Sequence, residues 1–229
     1  MSQPLGYVLW TGPSKFNGDP VVVIATLKTT NAKTGDMVQV WILPADQQPN
    51  KAFWGKETSS VCGDCMHLKN QSCYVNWGQA PTIVWKTWKS GGYPTIDCKD
   101  YSLMAGRKIR FGAAGDPAMV PVYIWEELAR VSSGWTGYTH QWQQPWAQNL
   151  KGLVQASCDS FQDYLDASAH GWKCYRVLRK DETKQDGEVH CQASSEMGDK
   201  TQCAKCLLCV GVSANVTINV HGARKKNYA

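Results

Sequence analysis

Ten cysteines, seven of them in two tight groups, limit what this chain can be more than any other feature. They stand at Cys62, Cys65, Cys73, Cys98, Cys158, Cys174, Cys191, Cys203, Cys206 and Cys209. Disulfides are rare in reducing compartments and matter most to domains too small to build a core. This chain has 229 residues, 43% hydrophobic and 19% charged. That buries a sizeable core without covalent staples and excludes a disordered chain. Its opening, MSQPLGYVLWTGPSK, lacks the basic head and apolar run of a secretory signal, so the expected location is cytoplasmic. The C-x2-C spacing in both groups therefore reads as metal ligation rather than disulfide bonding. No run of ~18 apolar residues is present, so no transmembrane helix and no membrane partner are expected. A net charge of +5 does not by itself imply a nucleic-acid partner.

The C-terminal group is Cys191, eleven residues, then Cys203-Ala-Lys-Cys206-Leu-Leu-Cys209. Three thiolates on a tight loop, closed by a distant fourth, resemble the spacing with which ferredoxins hold a 4Fe-4S cluster. Tetrahedral zinc takes the same four ligands. The crowding of three thiolates into seven residues favours the cluster. The first group is Cys62-Gly-Asp-Cys65, seven residues, then Cys73. Its fourth ligand is open. Either Cys98 closes a structural site, or the position is exchangeable and takes a small molecule.

The chain reads as a single domain, 1–229, in three regions: an N-terminal hairpin region over 1–60, a β/α core with the first cysteine group over 61–190, and a cysteine-rich segment over 191–229. Strands are expected at 20–27 and 37–43, joined through the polar turn TTNAKTGD. Residues 44–80 read as irregular. A helix is expected over 81–89, with Pro81 in its first turn and Gly91-Gly92 beyond its end. A strand at 108–113 leads to a helix over 121–131 with Ile124, Leu128 and Val131 as its apolar stripe. Strands follow at 134–140, 153–157, 172–178 and 216–220. Ser160, with Asp163 three residues on, caps a helix that Gly171 stops. Its Phe161, Leu165 and Ala169 are expected to face inward.

Strand–helix–strand alternation predicts right-handed βαβ units and a parallel sheet. Five or six strands are too few for a complete eight-stranded barrel, which takes ~250 residues. The expected fold is α/β, a partial (open) β/α barrel with an N-terminal β-hairpin and cysteine-rich metal-binding loops. In such folds chemistry collects where strands end.

Other candidates are weaker. Asp116 follows a strand and either faces a barrel mouth or caps the next turn, with capping favoured. His140 lies in GYTHQW, where Tyr138, His140 and Trp142 share one face by period two. Ser194, Ser195 and Glu196 offer polar groups beside Cys191, or simply form a turn. Trp85 and Trp88 interleave with Lys86 and Lys89, and Arg224-Lys-Lys226 adds a basic tail. Stacking aromatics with cations hold single strands. On a helix the same tryptophans pack inward and the lysines are solvated, so nucleic-acid binding takes second place.

The stretches TGPSKFNGDPVVVIAT, NAKTGDMVQVWIL, VCGDC, SCYVNWGQAP, RFGAAGDPAMVP, GWTGYTHQW and CQASSEMGDKTQCAKCLLC span nearly the whole chain. Together they resemble a family of small cysteine-rich iron–sulfur proteins of phages, prophages and plasmids. That resemblance implies an origin but no particular activity. A looser resemblance is to the radical S-adenosylmethionine (SAM) superfamily. It implies a 4Fe-4S cluster on Cys62, Cys65 and Cys73, SAM as a second cofactor, and an auxiliary cluster in the 191–209 segment. Gly115-Asp116-Pro117 would stand for that superfamily's Gly-Gly-Glu-Pro-like turn. The chain departs from its pattern in three places. The order is C-x2-C-x7-C instead of C-x3-C-x2-C, Tyr74 follows the last cysteine instead of preceding it, and Asp116 replaces a glutamate.

The expected function is that of an iron–sulfur protein in a phage-infected or prophage-bearing host cytoplasm. It would act as a radical-SAM-like or other redox enzyme on a small-molecule substrate or with an electron donor. Cys62, Cys65 and Cys73 form its reactive centre, with Asp116 and His140 as catalytic candidates. The alternative is a non-catalytic module, stabilised by zinc or iron–sulfur, that binds nucleic acid or a host protein. The fourth ligand of the first group separates the two.

Overall fold

PVVVIAT and VQVWILP are apolar on both faces, which suits strands covered on both sides. In the computed structural model, which describes residues 4–195, 198 and 201–228, they form β2 (Pro20–Thr26) and β3 (Val38–Pro44), after β1 (Gly6–Pro13). Glu196 lies outside the described residues. Every residue of β3 is buried, and β2 is exposed only at Pro20. β2 pairs antiparallel with both neighbours, so the expected hairpin is present. β1 carries no clear strand signal in its sequence. GYVLWTGP has two glycines, a terminal proline and no alternation, and the strand slips register between Val8 and Trp10.

The stretch expected to be irregular winds into three short helices, α1 (Pro49–Trp54), α2 (Ser59–Cys62) and α3 (Met66–Lys69), ahead of α4 (Ala80–Lys89). Strands and helices then alternate. β4 (Lys108–Ala114), α5 (Tyr123–Val131), β5 (Gly134–Thr136) and β6 (Tyr138–Thr139) come first. β7 (Gln155–Cys158), α6 (Phe161–Ala169), β8 (Cys174–Leu178) and β9 (Glu188–His190) follow. The chain finishes with α7 (Cys203–Cys206) and β10 (Asn215–Asn219).

Two five-stranded sheets result, ordered β1-β2-β3-β4-β5 and β6-β7-β8-β10-β9. From β3 onward every pairing is parallel. The fold is thus mixed α/β, and neither sheet closes into a barrel. The expected strand 134–140 is split at Gly137, its first half pairing with β4 and its second with β7. Gly137 donates its N–H to the Cys209 carbonyl and accepts from the Gln155 N–H. A Cβ there would meet Val154 Cγ1 at 2.7 Å and Phe111 Cβ at 3.0 Å. Only glycine lets the strand cross from one sheet to the other this close to its neighbours.

One apolar core runs from Tyr7 of β1 to Cys174 of β8. Ile124 and Leu128 of α5 are fully buried, as their spacing predicts. The stripe expected on α6 is corrected. Phe161 and Leu165 are 38% and 44% exposed and Ala169 is exposed, while Ala167 is buried and Tyr164 packs on the core. The Ser160 cap forms as expected, its Oγ accepting from the Asp163 N–H at 3.0 Å. Tyr164 sets the rotation instead, because its hydroxyl accepts a 3.3 Å hydrogen bond from Asn215 of β10.

Arg176 of β8 and Glu188 of β9 are 1% and 3% exposed and pair in fork geometry, at 2.8 Å and 2.6 Å. Glu188 also accepts the Gln185 N–H at 2.7 Å. Removing one partner of a buried pair strands the other charge. Glu188→Ala is expected to cost about 3–5 kcal/mol in urea unfolding. A loss under about 1 kcal/mol would mean that water reaches Arg176 and that the pair does not stabilise the fold.

Candidate metal centres and the cavity between them

The parallel strands place their carboxyl ends together, and the first cysteine group lies there. Cys62 ends α2, Cys65 precedes α3, and Cys73 lies in the loop that follows. All three line one cavity of about 340 Å³. Burial pushes the Cys62 thiol well up, and the nearby Cys65 and Cys73 add to the shift. Burial also raises Cys73. Buried thiols such as Cys62 and Cys73, which resist ionisation alone, are what a metal would deprotonate and satisfy.

Asp116 pins this loop to the sheet. Its N–H donates to the Val61 carbonyl at 2.7 Å. Its Oδ1 accepts from the Ala118 N–H at 2.9 Å and its Oδ2 from the His140 N–H at 2.7 Å. Burial pushes its carboxyl up, partly offset by His140 and these hydrogen bonds. Both oxygens are engaged, so Asp116 is a cap, as expected, and a positioning residue. The preceding Gly115 has φ +81°, and a Cβ there would lie 2.4 Å from the Ile42 carbonyl oxygen. No other residue fits that turn.

His140 and Tyr138 both line the cavity, whereas Trp142, the third residue expected on their face, is buried in the core. His140 stands beside Cys65, with Nε2 3.5 Å from Asp159 Oδ2. Burial disfavours its imidazolium, but Cys65 and Asp159 outweigh that and hold its pKa well above the usual range. Two residues the sequence analysis missed complete the network. His67 donates or accepts at both nitrogens, 2.6 Å from Ser72 Oγ and 3.0 Å from Asp159 Oδ1. Asp159 is held below the usual carboxylate range: burial opposes ionisation, but His140 and His67 prevail. The ligand atoms of His67, His140 and Asp159 lie within 4.8 Å of one another, a donor set that could take a divalent cation. Both residues carried a signal. His67 sits inside the first cysteine group, and Asp159 follows a strand as Asp116 does.

The C-terminal group lies at the other ends of the strands. Cys191, Cys203, Cys206 and Cys209 all line one small cavity with Thr136 of β5. The Cys203 and Ala204 N–H groups donate to the carbonyls of Lys33 and Thr34, just ahead of β3. Leu207, left-handed at φ 52°, ends α7 against Gly134, the first residue of β5. Burial pushes the Cys209 thiol up to about 12, with Tyr138 partly offsetting it, and burial raises Cys203 too. Cys203 also lines the large cavity, which thus extends from one cysteine group to the other.

The remaining cysteines join neither group. Cys98 is exposed at the start of a 3-10 turn, Cys98–Met104, that packs on α5. Cys158 and Cys174 are buried core residues of β7 and β8. The basic features also find structural employment. Trp85 donates to the Pro44 carbonyl at 2.8 Å, and Lys89 lies over the rings of Trp85 and Trp88. Arg224 of the basic tail donates to the Cys73 and Val75 carbonyls at 2.6 Å and 2.5 Å, bracing the first cysteine loop.

Family models, curated proteins and solved structures yield no match to this chain. Among the described residues, no helix is long and apolar enough to cross a membrane.

Proposed function

We propose that this chain is an iron–sulfur protein of phage or prophage type whose two sheets act as one partial (open) β/α barrel. In this reading it is a radical-SAM-like or related redox enzyme of the host cytoplasm, with its reactive centre at Cys62, Cys65 and Cys73. The observation that carries the reading is the cavity. Its walls take alternate residues of the neighbouring parallel strands β8 and β10, Tyr175 and Val177 on one and Ile218 with the following Val220 on the other, and Arg110 and residues 112–114 of β4 from the first sheet. Period-two lining by neighbouring strands is how a barrel interior is made. Three thiols stand at the carboxyl ends of those strands, where α/β folds place their ligands.

The donor sets suit clusters. Four cysteines around one small cavity fit a closed 4Fe-4S centre at 191–209. Tetrahedral zinc would draw its sulfurs to roughly 3.8 Å of one another, given its Zn–S bond length. Among the described residues no three cysteine sulfurs of either group all lie within 4.8 Å of one another. A cubane, with each thiolate on a different iron, holds them wider. Bound at the first group, such a cluster would supply one-electron chemistry and an iron without a protein thiolate. The chain's own contribution is to present the cavity to that position. Asp116 fixes the loop, and Arg224 braces Cys73.

Protein made anaerobically is expected to be brown, with iron and acid-labile sulfide in near-equal amounts. Colourless protein holding only stoichiometric zinc would overturn the reading and leave the metal-stabilised module in its place.

A further inference from the structure

Among the described residues two arginines are buried, and they differ in one respect. Arg176 is forked onto Glu188, but Arg110 of β4, 7% exposed, has no carboxylate partner among the described residues. A guanidinium stays charged at any physiological pH, so an unpaired one under a protein surface is costly. One of its N–H groups donates to the Tyr74 hydroxyl at 3.3 Å, and its plane lies over the Tyr138 ring at 4.3 Å. Both contacts hold the group in place without neutralising it.

No carboxylate of the surroundings pairs with it either. Arg110 lines the large cavity, and so does Lys33. Among the described residues the cavity's acidic lining is Asp116, whose two oxygens already accept backbone N–H groups. The space therefore offers Arg110 no carboxylate; its other ionisable acids are tyrosines and cysteines, of which Cys203 interacts with Arg110 and would be negative as a metal-bound thiolate. A fork of planar donors held by two tyrosines matches the oxygens of a carboxylate or phosphate.

We infer that the cavity between the cysteine groups binds a small oxyanionic molecule, a carboxylate or a phosphate, on Arg110. This rests on reading the cavity as a substrate site, and it holds whichever metal the cysteines carry. The bound anion supplies the oxyanion partner that Arg110 lacks, and the molecule's remainder extends toward Cys62, Cys65 and Cys73.

The test is calorimetric titration of anaerobically purified protein with two probes, inorganic phosphate and benzoate, with iron assayed on the same sample. At least one probe is expected to bind saturably, one per chain. Arg110→Met should weaken it by about 10-fold or more, because the partner of a desolvated charge is removed. Arg130→Met, which removes an exposed ion pair with Glu127 on α5, should bind as the wild type does. Val177→Phe, which narrows the cavity and keeps Arg110, should also weaken binding and decides the matter where Arg110→Met does not fold. Failure of both probes, or unchanged affinity in Arg110→Met, overturns the inference. So does an Arg110→Met protein whose cluster potential moves while its anion affinity does not, since Arg110 would then be a counter-charge to the Cys203 group. Iron-free protein that still binds a probe through Arg110 would sink the cluster reading and support this one.

Discussion

Cys65→Ser is expected to remove about half of the protein's iron, and Cys98→Ser to remove none, since two cubanes would share the iron equally. Cys65 stands among the thiols that line the cavity, beside His140. Cys98 is exposed and packs on α5, away from that wall. It could reach the first group only if the 3-10 turn that carries it unwound. That would break the hydrogen bond from the Tyr101 hydroxyl to the Leu9 carbonyl. The two substitutions therefore separate an open first site from a closed one. An open site has a second consequence. Adding SAM to the reduced wild-type protein should change the electron paramagnetic resonance spectrum of the first cluster, and Cys65→Ser should abolish the change. Equal iron loss in both variants, with a spectrum indifferent to SAM, would make the site structural and end the enzyme reading.

Cys206→Ala should lower the melting temperature by at least about 10 °C and reduce soluble yield. The segment 191–209 packs in a small apolar cluster with Tyr175, Val216 and Ile218, and it joins distant parts of the chain. Its N–H groups reach the carbonyls of Lys33 and Thr34, and Cys209 accepts from Gly137. A metal site formed only in the native state adds its binding energy to folding, about 10–16 kcal/mol for small zinc domains. Losing one ligand of four forfeits several of these, and each moves the melting point of a chain this size by about 2–4 °C. Unchanged melting and full metal content in Cys206→Ala would show that the four cysteines are not one site.

What could be read in the sequence was local. Apolar runs marked β2, β3 and β4, the Ser160 cap marked the start of α6, and cysteine spacing marked two groups. Each rests on residues within a few positions of one another, where covalent geometry limits the choices. β1 escaped because its glycines and its slipped register hide its pattern. The α6 stripe was misread because Phe161, Leu165 and Ala169 fit a helical period as well as Tyr164 and Ala167 do. Only the neighbouring Asn215 chooses between them.

The candidate site divides along the same line. Cysteine identity and grouping, and the capping role of Asp116, were visible from short-range pattern. Four other facts were decided by tertiary structure: that His67 meets Asp159 from 92 positions away, that Arg224 braces Cys73 from 151 away, that Cys98 is left outside, and that Arg110 faces the cavity with no carboxylate paired to it. Strand order produces these meetings. β10 inserts between β8 and β9, and Gly137 passes the chain from one sheet to the next. Chain spacing sets which side chains share a turn or a strand face. Which strands become neighbours depends on the burial of the whole core, and no single segment's sequence contains that.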